Sequence, residues 1–253
     1  MLSEQELKEN HEKCLELMDR FVAVCEENNI VYYFAEGSAI GVLRHKGFIP
    51  WDINIDVYMT YYEYIRLNHI MKQEKLAPFR WCMPRRAGRI CACLMREDSF
   101  SYKTVPNIDI SLIGAAPNNK LLRDAMVLIT YLNYRMFKLK NTKVKRSFPF
   151  NILKGITYIF PNRFYFFILR KFGRIKDRKN TKYFVNITPG WYGKREVMRK
   201  SWLGTEKVYG EFEGRNVRIM RDCDAYLRNR YGDYMKPDKW ENKGEYKGVN
   251  KKS

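Results

Sequence analysis

Glu36-Gly-Ser-Ala-Ile-Gly-Val-Leu-Arg-His-Lys-Gly-Phe-Ile-Pro-Trp-Asp-Ile-Asn-Ile-Asp56 is the most informative stretch of this 253-residue chain. It follows Val31-Tyr-Tyr-Phe-Ala35, a β-branched and aromatic run that predicts a strand. Gly37 and Ser38 then turn the chain into a short helix carrying Ile40, Val42 and Leu43. Backbone N–H groups at such a helix start offer a place for a phosphate. Arg44, His45 and Lys46 add positive charge just beyond. Residues 46–50 read as a loop. Residues 53–57 alternate with period two, which predicts a strand with one polar face. If that strand reaches back to Asp52, then Asp52, Asn54 and Asp56 project from one face. Clustered oxygen ligands suit Mg²⁺, which usually takes one or two carboxylates plus substrate phosphates. A cation beside a phosphate-binding turn points to phosphoryl chemistry.

Outward from this stretch, residues 3–29 read as an amphipathic helix. Leu7, Cys14, Leu15, Met18, Phe21, Val22 and Cys25 recur at helical spacing, and Ser3 with Glu6 makes a capping box. Residues 61–75 and 120–138 also read as helices, and strand-like runs recur near 79–83, 89–95 and 107–113. From 134 to 182 the composition shifts. This segment carries fifteen lysines and arginines against one acid, Asp177, interleaved with aromatics. It holds two apolar runs, 148–160 and 164–172, split by Pro161. Residues 183–235 read as short strands followed by a helix over 223–231 that closes at Gly232. Strand, Gly-Ser turn, helix, acidic strand and further strands make an α/β or α+β arrangement.

Composition narrows the class. The chain is 45% hydrophobic and 15% aromatic, as a globular protein is, with a polar, Lys-rich tail after Asp238. The formal net charge of +19 predicts acidic partners: nucleic acid, anionic lipid or phosphorylated substrates. Of the six cysteines, none forms a CxxC pair, and Cys91-x-Cys93 is too tight for a zinc knuckle. They are expected to be reduced, mostly buried thiols. The charged N-terminus argues against a signal peptide, and no run of about 18 apolar residues predicts a spanning helix.

The stretch at 36–56 resembles the LicD family. Members carry a Gly-Ser or Gly-Thr turn, an Arg-His pair and a Pro-Trp-Asp-x-Asp-x-Asp core. Here these stand as Gly37-Ser38, Arg44-His45 and Pro50-Trp51-Asp52-Ile53-Asn54-Ile55-Asp56. Asn107-Ile-Asp-Ile-Ser-Leu-Ile-Gly-Ala-Ala-Pro117 resembles the second acidic strand of the family. Phe212-Glu-Gly214 and Tyr231-Gly-Asp-Tyr-Met235 resemble its C-terminal signature. The resemblance implies an α+β fold with a nucleotidyltransferase-like mixed sheet flanked by helices. It implies a core over 1–133, a basic helical insertion over 134–182, the remainder of the core over 183–240 and a tail over 241–253. It also implies metal-dependent transfer of phosphocholine, or a similar phospho-alcohol, from a CDP-activated donor to a glycan or its lipid-linked precursor. Asp52, Asp56 and Asp109 would then be catalytic and, with Asn54, hold Mg²⁺ or Mn²⁺. Gly37, Ser38, Arg44 and His45 would bind the donor, and Asp109 would polarise the acceptor hydroxyl.

One position departs from the family pattern. Asn54 stands where an Asp is usual. An amide oxygen ligates a hard cation but carries no charge and cannot act as a base. A relative that binds donor or glycan without turnover is therefore one competing reading. A nucleotidyltransferase acting on nucleic acid is the other. The charge permits it, while the Pro-Trp-Asp block and the Tyr-Gly-Asp-Tyr-Met ending oppose it, so nucleic acid is not the expected partner. His11, His69 and Trp51 read as structural or surface residues, and Tyr231–Met235 as a helix end. The basic segment reads as a solvated appendage, a polyanion surface or a face lying on an anionic membrane through residues 148–179. In the last case Phe164, Phe166, Phe167, Ile168 and Leu169 dip in, and the protein sits peripherally at the inner face of the cell membrane.

Overall fold

The computed structural model describes residues 3–73, 79–82, 90–91, 93–96, 106–141, 148–190 and 193–237. Helix α1 (Glu4–Glu27) opens on the expected capping box. The Glu6 N–H donates to Ser3 Oγ (3.2 Å) and the Ser3 N–H to Glu6 Oε2 (2.6 Å). Its buried stripe is Asn10, Cys14, Leu17, Met18, Phe21, Val24 and Cys25, with Leu15 and Val22 at the rim of the core.

The chain then enters strand β1 (Tyr33–Phe34), helix α2 (Glu36–Ile40) and a π-helical turn (Gly41–His45). Strand β2 (Ile55–Thr60) follows, with helix α3 (Tyr61–Gln73) directly behind it. Strands β3 (Phe79–Cys82), β4 (Cys93–Arg96) and β5 (Asn107–Ala116) come next, then helices α4 (Lys120–Asn141), α5 (Phe148–Tyr158) and α6 (Asn162–Gly173). The C-terminal part holds β6 (Tyr183–Asn186), a 3₁₀ turn (Lys194–Glu196), β7 (Val197–Arg199), α7 (Lys200–Leu203), the hairpin β8 (Val208–Phe212) and β9 (Arg215–Ile219), and α8 (Cys223–Tyr231).

The result is an α+β fold built on a mixed seven-stranded sheet. β5 is its longest strand and its spine. β2 runs parallel to it on one side, and β1 closes that edge antiparallel. On the other side β5 is shared: β4 pairs with its first residues and β6 with its last, both antiparallel. Strands on both sides of the helical stretch α4–α6 therefore belong to one sheet. Val57, Tyr58 and Met59 are all buried, so β2 is covered on both faces. Pro161 is the N-cap of α6, because its fixed φ ends one apolar helix and suits the start of the next.

Cys14, Cys25, Cys91, Cys93 and Cys223 are buried free thiols, and the Cys82 side chain lies outside the described residues, as does the tail after 237. Among the described residues no helix is long and apolar enough to cross a membrane.

Candidate active site

The acidic block does not form one continuous strand. β2 begins at Ile55, and Asp52 and Asn54 lie in the loop before it. The condition for three side chains on one strand face, a strand reaching back to Asp52, is not met, and local hydrogen bonding gives the reason. The Asp52 N–H donates to Ile49 O (2.8 Å), and Asp52 Oδ1 accepts from the Ile53 N–H (3.0 Å), which makes a turn. The carbonyls of Asp52 and Ile53 are taken by α1 instead of a neighbouring strand. His11 Nε2 lies 2.6 Å from Asp52 O, and Asn10 Nδ2 donates to Ile53 O (2.9 Å). β1 has already turned into α2 by Glu36, so β1 does not continue alongside residues 52–54.

Asp52 is buried, at 8% exposure, and its carboxylate faces the backbone of Gly37. Burial pushes the Asp52 pKa up to about 6, against the pull of the Ile53 and Asn54 N–H groups, with Glu36 adding to the rise. Ser38 is buried as well. Its hydroxyl accepts from the Asp56 N–H (2.8 Å), tying the Gly-Ser turn to the head of β2.

Asp56 and Asp109 are the acids that the fold brings side by side. They are register partners on the parallel strands β2 and β5, half-buried, on one face of the sheet. Neighbouring strands lie ~4.8 Å apart, so the two carboxylates can share one ion or one proton. Asn54 Nδ2 donates to Asp56 Oδ1 (3.1 Å), so its amide orients that carboxylate. Cys93 of β4 is the register partner of Asp109 on the other side. Among the described residues no three His, Cys, Asp or Glu side chains gather into a ligand group, and Asp52 is packed on the Gly37 turn.

Arg44 and His45 end the π turn. Arg44 Nη1 donates to Tyr234 O (2.6 Å), and its Nε donates to His45 Nε2 (2.9 Å). An imidazole that accepts on Nε2 carries its proton on Nδ1, so His45 is neutral in this arrangement. Burial lowers the His45 pKa, and the Arg44 charge lowers it further.

A second set of residues, unassigned from sequence, braces this site from the C-terminal half. Glu36 has a left-handed backbone (φ 49°), a conformation that a non-glycine residue keeps only when its surroundings hold it. Its N–H donates to the Tyr226 hydroxyl (3.1 Å), and its Oε1 accepts from the Tyr58 hydroxyl (2.9 Å). Arg230, 2% exposed, reaches Glu36 Oε1 (2.9 Å, off hydrogen-bond alignment) and Glu196 Oε2 (2.9 Å). Burial raises the Glu196 pKa, and Arg230 opposes that rise. The loop over 46–50 is held in the same way. Glu213 Oε1 accepts from the Phe48 N–H (3.0 Å), and the Phe48 ring stacks on His11 at 4.0 Å and meets Phe212 edge-on at 4.9 Å.

The Phe-Glu-Gly turn and the α8 end thus brace the 36–56 block. Helical periodicity gave no signal for Arg230, which is an arginine on a short, polar helix. Glu36 opens the 36–56 block as an acid between Ala35 and Gly37, with no role assigned to it from sequence.

A family described as LicD/FKTN/FKRP, nucleotidyltransferase domain, matches residues 29–151. This chain carries a LicD-family domain. The lipopolysaccharide cholinephosphotransferase LicD of Haemophilus influenzae is 29% identical over 248 residues, covering 91% of each chain. An uncharacterized protein of Rickettsia typhi is 33% identical over 54 residues, 21% of this chain and 18% of its own. The LicD-family region holds Gly37, Ser38, Asp52, Asn54, Asp56 and Asp109, whereas Glu196, Glu213, Tyr226 and Arg230 lie beyond residue 151.

Proposed function

We propose that this protein transfers phosphocholine, or a similar phospho-alcohol, from a CDP-linked donor to a hydroxyl of a cell-surface glycan or its lipid-linked precursor. The observation that carries this reading is the register pair Asp56 and Asp109, two half-buried carboxylates on adjacent parallel strands. The similarity to a cholinephosphotransferase along 91% of both chains supports the choice of group transferred.

The residues fit Mg²⁺ or Mn²⁺. A small hard cation commonly takes one or two carboxylates and fills its remaining positions from substrate phosphates and water. Asp56 and Asp109 would hold it, with Asn54 setting the Asp56 carboxylate through its amide N–H. When bound, the ion supplies charge neutralisation at the donor phosphates. Asp52 lies against Gly37 and shapes the turn from which the backbone of Gly37 and Ser38 would meet the donor phosphates.

The acceptor oxygen forms a bond to the phosphorus that carries the alcohol. The bond from that phosphorus to the nucleotide phosphate oxygen breaks, and CMP leaves with the bonding pair. Asp109 accepts the hydroxyl proton, as one of the two half-buried acids at the site.

Calorimetric titration with CDP-choline, with and without Mg²⁺ or Mn²⁺, tests the donor, and release of CMP on adding glycan acceptor tests the transfer. Metal-dependent binding with CMP release is expected. Binding without CMP release would replace this reading with that of a glycan- or donor-binding protein. Salt-sensitive binding of RNA with nucleotide addition would replace it with a polymerase-like activity.

A further inference from the structure

α4 and α5 each leave an apolar face outward. On α4, Leu121, Leu122, Leu128, Ile129 and Leu132 are exposed and share one side of the helix, next to the side that buries Met126, Val127, Thr130, Asn133 and Phe137. On α5, which packs against α4, Ile152, Leu153 and Ile156 are exposed, and Ile159 just beyond it is 74% exposed. Thr157 is the buried residue among 151–159. The aromatic run of α6 points the other way. Leu169 and Tyr165 are buried, and Phe164 and Phe166 pack against the core, while Phe167 faces out. Apolar surface of this extent on neighbouring helices marks an interaction site.

Charge identifies what covers it. Pro117 and Asn118, immediately before α4, line an open cleft of about 760 Å³ together with Arg174, Lys176, Arg178 and Lys179. Leu121 and Leu122 stand in the first turn of α4 just beyond that cleft, so cationic and apolar surface adjoin. Arg163, Arg170 and Lys171 of α6 are exposed too. A second copy of the chain would bring these cations against their own equivalents. An anionic bilayer meets them with opposite charge and takes the leucines and isoleucines into its acyl boundary. No described helix can span, so the contact lies in the interface.

We propose that the outward faces of α4 and α5, with the cationic cleft at 174–179, dock this protein on an anionic lipid surface. Vesicle binding reads this surface without substrate, so it stands or falls apart from the transferase reading. The full chain is sedimented with vesicles of phosphatidylglycerol and phosphatidylethanolamine, and with vesicles of phosphatidylcholine alone. Wild type is expected to pellet with the first and stay in solution with the second, and to be released by salt. The triple variant Ile152→Gln, Ile156→Gln, Ile159→Gln should bind on the order of tenfold or more weakly. Lys176→Glu with Lys179→Glu should also weaken binding. All five positions are exposed, so circular dichroism should match wild type. Wild type that stays in solution with anionic vesicles, or a triple variant that binds as well as wild type, overturns the proposal. So does a light-scattering dimer that the triple variant converts to monomer while vesicles have no effect, which would make a second copy the occupant.

Discussion

The carboxylate of Asp52 lies against the backbone of Gly37, so that a Cβ at position 37 would sit 2.6 Å from Asp52 Oδ2. The two residues belong to different arms of the site, the Gly-Ser turn and the loop before β2. Asp52 cannot retreat, because its own carbonyl and that of Ile53 are held by His11 and Asn10. Gly37→Ala is therefore expected to displace the loop, at a cost of roughly 1–3 kcal/mol for an overpacked contact, and to lower turnover. Urea denaturation and a CMP-release assay check it. An alanine variant as stable and as active as wild type would show that the loop moves freely and that the contact has no role.

The Asp56 and Asp109 pair predicts equal severity at two positions. Asp56→Asn and Asp109→Asn each keep the shape of the side chain and remove its charge. Each should lower turnover by roughly 10²–10⁴-fold while the melting temperature stays near that of wild type. Chelation of divalent ions should stop wild-type turnover, and Mg²⁺ should restore it. Turnover by either variant within a fewfold of wild type would remove the pair from the chemistry.

Much of this arrangement was legible in the sequence. The capping box at Ser3, the helix ending at Tyr231 and the Pro161 break depend on neighbours within four residues, and local chemistry decides them. The acid on β5 was legible because a carboxylate amid Ile108, Ile110 and Leu112 is costly without a purpose. The start of β2 was not legible. Alternation continues through Asn54 and Asp52, and what ends the strand is His11 and Asn10, some forty residues earlier. The Arg230 cluster was hidden for the same reason, since Glu36, Tyr58, Glu196 and Arg230 are joined only by the fold. In the membrane reading Phe164, Phe166, Phe167, Ile168 and Leu169 dip into lipid, yet helical phase turns Leu169 onto the core, packs Phe164 and Phe166 against it and leaves Phe167 exposed.

The raised pKa of Asp52 makes stability fall with rising pH over a defined window. Its carboxyl titrates at about 6 in the folded chain against an ordinary 3.8. Below both values the group is protonated in either state and contributes nothing. Between them the unfolded chain loses the proton that the folded chain keeps, so unfolding is favoured progressively as pH rises. The loss levels off above the folded value at roughly 2–3 kcal/mol. Asp52→Asn removes the titration. Denaturation at pH 4 and pH 7 should show the variant gaining stability relative to wild type at the higher pH. An unchanged difference between the two proteins at both pH values would mean that Asp52 titrates normally.

Arg230 is the cation between two acids, Glu36 and Glu196, with Glu196 fully covered and Arg230 itself 2% exposed. Taking the guanidinium away leaves Glu196 buried without its ion partner. Such losses typically cost roughly 3–5 kcal/mol. Arg230→Met fills the volume without the charge and should lower stability by about that amount. Glu36 would also lose part of what holds its left-handed backbone, so the Gly37–Ser38 turn should loosen and donor binding weaken. Glu196→Gln separates the two effects. It keeps an acceptor for Arg230 and leaves the Glu36 contact in place, so donor binding should survive while stability falls by less. Denaturation with calorimetric titration of CDP-choline on both variants checks this. If Arg230→Met binds the donor like wild type, α8 supports the fold alone and the turn holds its shape without it.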